Sequence, residues 1–156
     1  MKPFRLPLAA LFALFALFAL FVQPAQADQL LIVRAQQAYP ESMATLQNAI
    51  STRGYKITRV QNIDVGITKT GHTIDYYKVV FYGNPEEVAQ ITREYPELIS
   101  YLPLNIVIFA EDANTVVAAS RPSVLAEFFP VPALKAMFMR WEDDLVNILD
   151  EVREAQ

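Results

Sequence analysis

The chain is predicted to fold as an α+β domain, in the order strand, helix, four strands, helix, with an extra short helix between two sheet strands. Two observations carry this reading. Between positions 55 and 120, four segments rich in β-branched and aromatic residues alternate with Gly, Pro and Asn turn signals. Over residues 133–154, Leu134, Phe138, Trp141, Leu145, Ile148 and Val152 recur at three- and four-residue steps, with Arg140, Glu142, Asp143 and Asp144 on the opposite side. That stripe is shorter than three heptads, so it suits packing on a sheet better than a coiled coil.

The elements follow in order. Residues 30–33 form a short apolar strand. Pro40 suits a first helical position, where its missing N–H costs nothing. Met43, Leu46 and Ile50 then put one buried face on a helix over 41–53. Gly54 fits the left-handed position that ends helices. Residues 55–65 read as a strand whose alternation slips, and a bulge near Arg59 accounts for the slip. Residues 66–72, with two glycines and two threonines, predict a hairpin loop, and 73–82 the next strand. Asn84 caps and Pro85 opens a short helix over 86–95. Leu102-Pro103 then leads into a strand over 104–110, and a turn at 111–114 delivers the strand 115–120. Residues 122–132 hold three prolines and the exposed-looking pair Phe128-Phe129.

Both faces of the central strands are apolar. Tyr77, Val79 and Phe81 oppose Ile74, Tyr76, Val80 and Tyr82, with Lys78 between, and Ile106 and Ile108 oppose Val107 and Phe109. The chain has helix enough for one face only, so self-association, as a homodimer or by docking a partner, is expected to cover the other.

The first 27 residues predict an export signal. Lys2 and Arg5 precede an uncharged apolar run over 6–22, and Ala25-Gln26-Ala27 is a small-x-small cleavage pattern, so the mature chain should begin at Asp28. A run of this length with an internal Pro is shorter than the ~20 residues that span hydrocarbon, so no stable membrane insertion is expected after cleavage. No Cys stands at the junction for lipid attachment, and no arginine pair precedes the apolar run. The expected location is the periplasm, or the medium. The whole chain carries a net charge of −4, and removal of Lys2 and Arg5 makes the remainder more acidic. Such a surface repels phosphate backbones, which argues against nucleic-acid binding. With no cysteine, thiol catalysis, iron–sulfur ligation and covalent haem attachment are excluded.

Several pieces in order then resemble one family: the helix ending in Arg53-Gly54-Tyr55, Tyr82-Gly83-Asn84-Pro85, Tyr95-Pro96-Glu97-Leu98, and Tyr101-Leu102-Pro103-Leu104-Asn105 leading into 106–109. Residues 43–122 are similar to the family called domain of unknown function 302. Many relatives carry Cys where Gly83 and Leu104 stand here, so thiol chemistry open to them is absent from this chain. The resemblance implies a TATA-binding-protein-like α+β fold in which a curved antiparallel sheet grips a long C-terminal helix. It implies no reaction.

Chemistry-bearing residues have structural explanations. His72, the only histidine, sits in a Thr-Gly-His-Thr loop, and a metal site needs three or four convergent ligands. No Gly-x-Ser-x-Gly elbow and no calcium loop is present. The pairs Glu86-Glu87, Glu111-Asp112 and Asp143-Asp144 suit a helix start, a strand turn and an outer helix face. No catalytic residue, metal ligand or cofactor is assigned. The aromatic side chains carry the remaining signal: Tyr76, Tyr77, Phe81, Phe138 and Trp141 are the candidate ligand-binding residues, lining a pocket between sheet and C-terminal helix. The same aromatics suit a dense core. The leading functional reading is a non-catalytic exported module for a small apolar or aromatic ligand, followed by a homodimeric or partner-docking protein, and then an enzyme without a familiar motif.

Overall fold

The computed structural model describes residues 29–68 and 76–155. Its elements are β1 (Leu30–Ala35), α1 (Tyr39–Thr52), β2 (Lys56–Asn62), α2 (Ile63–Thr68), β3 (Tyr77–Gly83), α3 (Pro85–Glu94), a 3₁₀ turn (Pro96–Tyr101), β4 (Leu104–Glu111), β5 (Asn114–Ser120), a 3₁₀ turn (Pro122–Val124), α4 (Leu125–Phe128) and α5 (Pro132–Glu154). The five strands form one sheet in the order β1-β5-β4-β3-β2, and every neighbouring pair is antiparallel. The α+β class, the antiparallel sheet and the long C-terminal helix therefore stand as the sequence predicts.

Local chemistry explains the elements. Pro40 lies in the first turn of α1, and Gly54, at φ 78°, takes the left-handed position just beyond its end and donates its N–H to the Ser51 carbonyl at 3.0 Å. The Asn84 side chain accepts from the Glu86 and Glu87 N–H groups, and Pro85 opens α3. The β2–β3 register shifts between Ile57 and Arg59, which is the bulge that the broken alternation predicts. In α5, Leu134, Phe138, Trp141, Leu145, Ile148 and Val152 are all buried, and Leu149 joins them.

Two expectations at the far end of β2 are corrected. The strand predicted over 55–65 stops at Asn62, and Ile63–Thr68 is the helix α2. Among the described residues the ladder ends at the pair Asn62↔Lys78, and the backbone beyond closes its hydrogen bonds locally as a helix. Thr68 then donates to the Asp64 carbonyl at 2.9 Å, inside the segment read as a loop. The next strand opens at Tyr77, because Tyr76 sits at a φ of 37°, which no extended strand accommodates. Positions 69–75, including His72, and the cleavage residues Ala25, Ala27 and Asp28 lie outside the described residues.

The helices α1 and α5 pack on one sheet face. There Ala35, Val80, Tyr82, Ile106, Ile108 and Val117 meet Leu46, Ile50, Phe138 and Leu145 in a single core. Buried Ser42 and Thr115 both donate to the Gln37 carbonyl, at 3.3 and 3.0 Å, so neither hydroxyl is stranded. The second face carries Leu30, Ile32, Tyr77, Val79, Phe81, Val107, Phe109, Val116 and Ala118, and only Val116 among these is buried.

Candidate functional site

A cleft of about 710 Å³ opens at the end of the sheet where β1 and β4 begin and β3 and β5 finish. This falls within the ~300–1,000 Å³ of typical small-molecule sites. Five separate stretches build it. Leu30 comes from the start of β1 and Phe81 from the end of β3, while Tyr101, Leu102 and Pro103 form the entry to β4, and Leu125 and Phe128 come from α4. Leu145 of α5 closes the inner side. Turn chemistry holds this wall: Pro96 and Pro122 each open a 3₁₀ turn, and those two turns place Tyr101 and Leu125. Phe128 is 65% exposed and Tyr101 45%, so the aromatic rim faces solvent instead of filling the core.

The cleft has polar points as well: Gln29, Ser100, Asn105, Ser120 and Arg121. The Arg121 Nη1 donates to Glu142 Oε1 at 2.7 Å, and the Ser123 N–H donates to Glu142 Oε2 at 3.0 Å. Burial pushes the Glu142 carboxyl up, but the bonds from Ser123 and the Arg121 guanidinium outweigh it and hold the group below its ordinary value. Glu142 therefore faces the Arg121 segment, although the pattern of α5 assigns it to the outer side. The Arg121 backbone N–H also donates to the Gln29 carbonyl at 2.9 Å, fixing the start of β1 against the cleft.

Two further polar clusters have structural roles. Beside the buried Trp141, its Nε1 donates to Glu87 Oε2 at 3.0 Å, and Arg140 pairs with the other Glu87 oxygen. Nearby, the Tyr55 hydroxyl donates to Asp144 Oδ2 at 2.6 Å, so Asp144 also turns inward from the outer face the sequence suggests. Burial first, and then Asp144, push the Tyr55 and Tyr82 phenols up, which keeps both neutral. At the opposite end of the sheet the Tyr39 and Tyr76 rings stack at 4.8 Å, with the Lys78 Nζ 5.9 Å from the Tyr39 centroid. The Tyr39 phenol is pushed up to about 12, mainly by burial, with smaller contributions from Asp64 and Tyr76.

The five aromatic candidates are not brought together. Phe81 lines the cleft. Tyr76 lies in the Tyr39 stack, and Tyr77 packs edge-on to Phe109 at 6.0 Å on the second sheet face. Phe138 and Trp141 are core residues, 0% and 3% exposed, with ring centroids 5.7 Å apart. Phe138 stands one layer behind the cleft, since Tyr101 meets Phe129 at 5.6 Å and Phe129 meets Phe138 at 6.5 Å. Sequence reasoning missed Arg121, Leu125 and the site role of Phe128. The available signal was a pair of phenylalanines held between prolines, matched by Tyr101-Leu102-Pro103. Among the described residues no three of His, Cys, Asp and Glu converge as a metal site, and no helix is long and apolar enough to cross a membrane.

The sheet order, the helix-covered face and the terminal cleft define a small α+β domain of one known class. The chain belongs to the DUF302 family, described as Domain of unknown function DUF302, which matches residues 31–152. Its fold is similar to the crystal structure of an uncharacterized conserved DUF302 protein from Bacillus stearothermophilus, with a TM-score of 0.71 and 22% identity, covering 81% of this chain and 100% of that one. No curated protein matches the chain.

Proposed function

We propose that this domain is an exported, non-catalytic binding module that takes a small apolar or aromatic ligand into the cleft at the end of the sheet. The observation that carries the reading is the cleft itself: about 710 Å³, walled by Phe81, Leu102, Leu125 and Phe128, with Tyr101 at its rim. Aromatic and aliphatic walls reward apolar contact, while Asn105, Ser120 and the Tyr101 hydroxyl offer a few fixed polar points. Because Glu142 neutralises Arg121, a neutral ligand suits the cleft better than a carboxylate. Export is supported by the basic start, the apolar run over 6–22 and Ala25-Gln26-Ala27 ahead of Asp28.

The test is a melting series on protein prepared by secretion, with N-terminal sequencing expected to read Asp28 first. A panel of neutral aromatics and fatty alcohols is expected to raise the melting temperature of the wild type. Phe128→Ser, at a largely exposed position, is expected to leave the unliganded melting temperature within a few degrees and to remove most of the rise. No rise with any compound, or an undiminished rise in Phe128→Ser, counts against the cleft. A chain starting at Met1 counts against export.

A further inference from the structure

We infer that the second face of the sheet docks a second copy of this chain, and that the partner copy closes the side of the cleft formed by Leu30 and Phe81. The closing half of this inference rests on the binding role proposed above; the docking half does not. By register, Ile32 lies beside Ala118, Val107 between Ala118 and Val79, and Phe109 between Val116 and Tyr77. The apolar surface is thus continuous from β1 to β3. Ile32 is 61% exposed and Leu30 52%. Val116 alone is buried there: it pairs with Arg34 on one side and Phe109 on the other, and the bidentate Arg34–Glu111 ion pair reaches from β1 to β4 across it.

Area and charge together select the occupant. The four strands β1, β5, β4 and β3, at ~4.8 Å spacing and about seven residues at ~3.3 Å rise, give an apolar footprint of roughly 440 Å², and the polar β2 margin brings the whole face to roughly 550 Å². Side-chain relief raises the accessible area toward the ~800 Å² per partner of a standard interface, and a monomer seldom leaves an apolar patch beyond a few hundred Å² exposed. A two-fold contact sets the same patch against itself, so its centre has to be uncharged. This one is: Lys56 and Arg59 lie at the β2 margin, and Arg34 is already neutralised by Glu111. Leu30, Phe81, Asn105 and Ser120 belong both to this face and to the cleft wall, so a copy seated on the face borders the cleft directly.

Sedimentation equilibrium of the processed chain from about 1 to 200 μM tests this, alongside Ile32→Glu and the control Val65→Glu, which is exposed on the helix α2 and belongs to no strand of the face. Wild type and Val65→Glu are expected at twice the chain mass at high concentration, with Ile32→Glu weakening dimerisation at least tenfold. A wild type that stays monomeric throughout, or an Ile32→Glu chain that dimerises as tightly as wild type, overturns the docking half whatever the cleft binds. Titration with indole then reads the closing half, with affinity expected to fall in monomeric Ile32→Glu. Equal affinity in monomer and dimer overturns it. An intact dimer that binds no indole overturns the closing half and leaves the docking face standing.

Discussion

Replacing Trp141 with alanine is expected to lower the unfolding free energy by ~3–5 kcal/mol, the cost of a large-to-small change at a buried site. The side chain is 3% exposed, its ring packs against Phe138, and its Nε1 satisfies one Glu87 oxygen. Trp141 does not line the cleft, so the cleft does not soften the loss. Trp141→Phe separates the two contributions: most of the ring volume stays and the hydrogen bond goes, for about 1–2 kcal/mol. Urea denaturation with an unchanged slope provides the measurement. A Trp141→Ala penalty below about 1 kcal/mol would place the indole at a loosely packed surface instead of the core.

Glu142→Ala is the second large effect, about 2–3 kcal/mol near neutral pH, because it takes the carboxylate from a partly buried ion pair and removes the acceptor of the Ser123 N–H together. The same carboxylate gives the protein an acid sensitivity of definite sign. Its folded pKa lies below the ordinary 4.5, so its stabilisation is fully present above that value and is lost as pH falls through the depressed one. Glu111, held low by Arg34, titrates in the same window from the surface. The difference between wild type and Glu142→Ala is therefore the readout. That difference should shrink as pH drops below about 4.5, and a difference constant down to strongly acid pH would contradict the assignment.

Local signals made much of the fold legible. The α5 stripe, the Asn84-Pro85 helix start, the Gly54 helix end and the β2 bulge each depend on residues within a turn or two of one another. The helix α2 was hidden because Ile63 and Val65 carry strand propensity, and only the end of the β3 ladder releases them from the sheet. The inward turns of Glu142 and Asp144 were hidden for a related reason. Their partners, Arg121 and Tyr55, come from distant stretches that helical periodicity does not register. The cleft was the least legible feature. Leu30, Phe81, Tyr101, Leu125 and Leu145 meet only through strand order, and no spacing in the chain connects them. The five aromatic candidates were singled out by residue type, which identifies amphipathic side chains without separating a core ring such as Phe138 from a rim ring such as Phe128.

Backbone amide chemical shifts recorded during an indole titration test the binding role most directly, because they report position as well as occurrence. Saturable shifts are expected to concentrate at residues 100–105 and 120–128, with Phe81 and Leu30 included and the stacked Tyr39 and Tyr76 unaffected. Shifts centred on Tyr77, Val107 and Phe109 with none at 120–128, or no saturable shift at all, would contradict it.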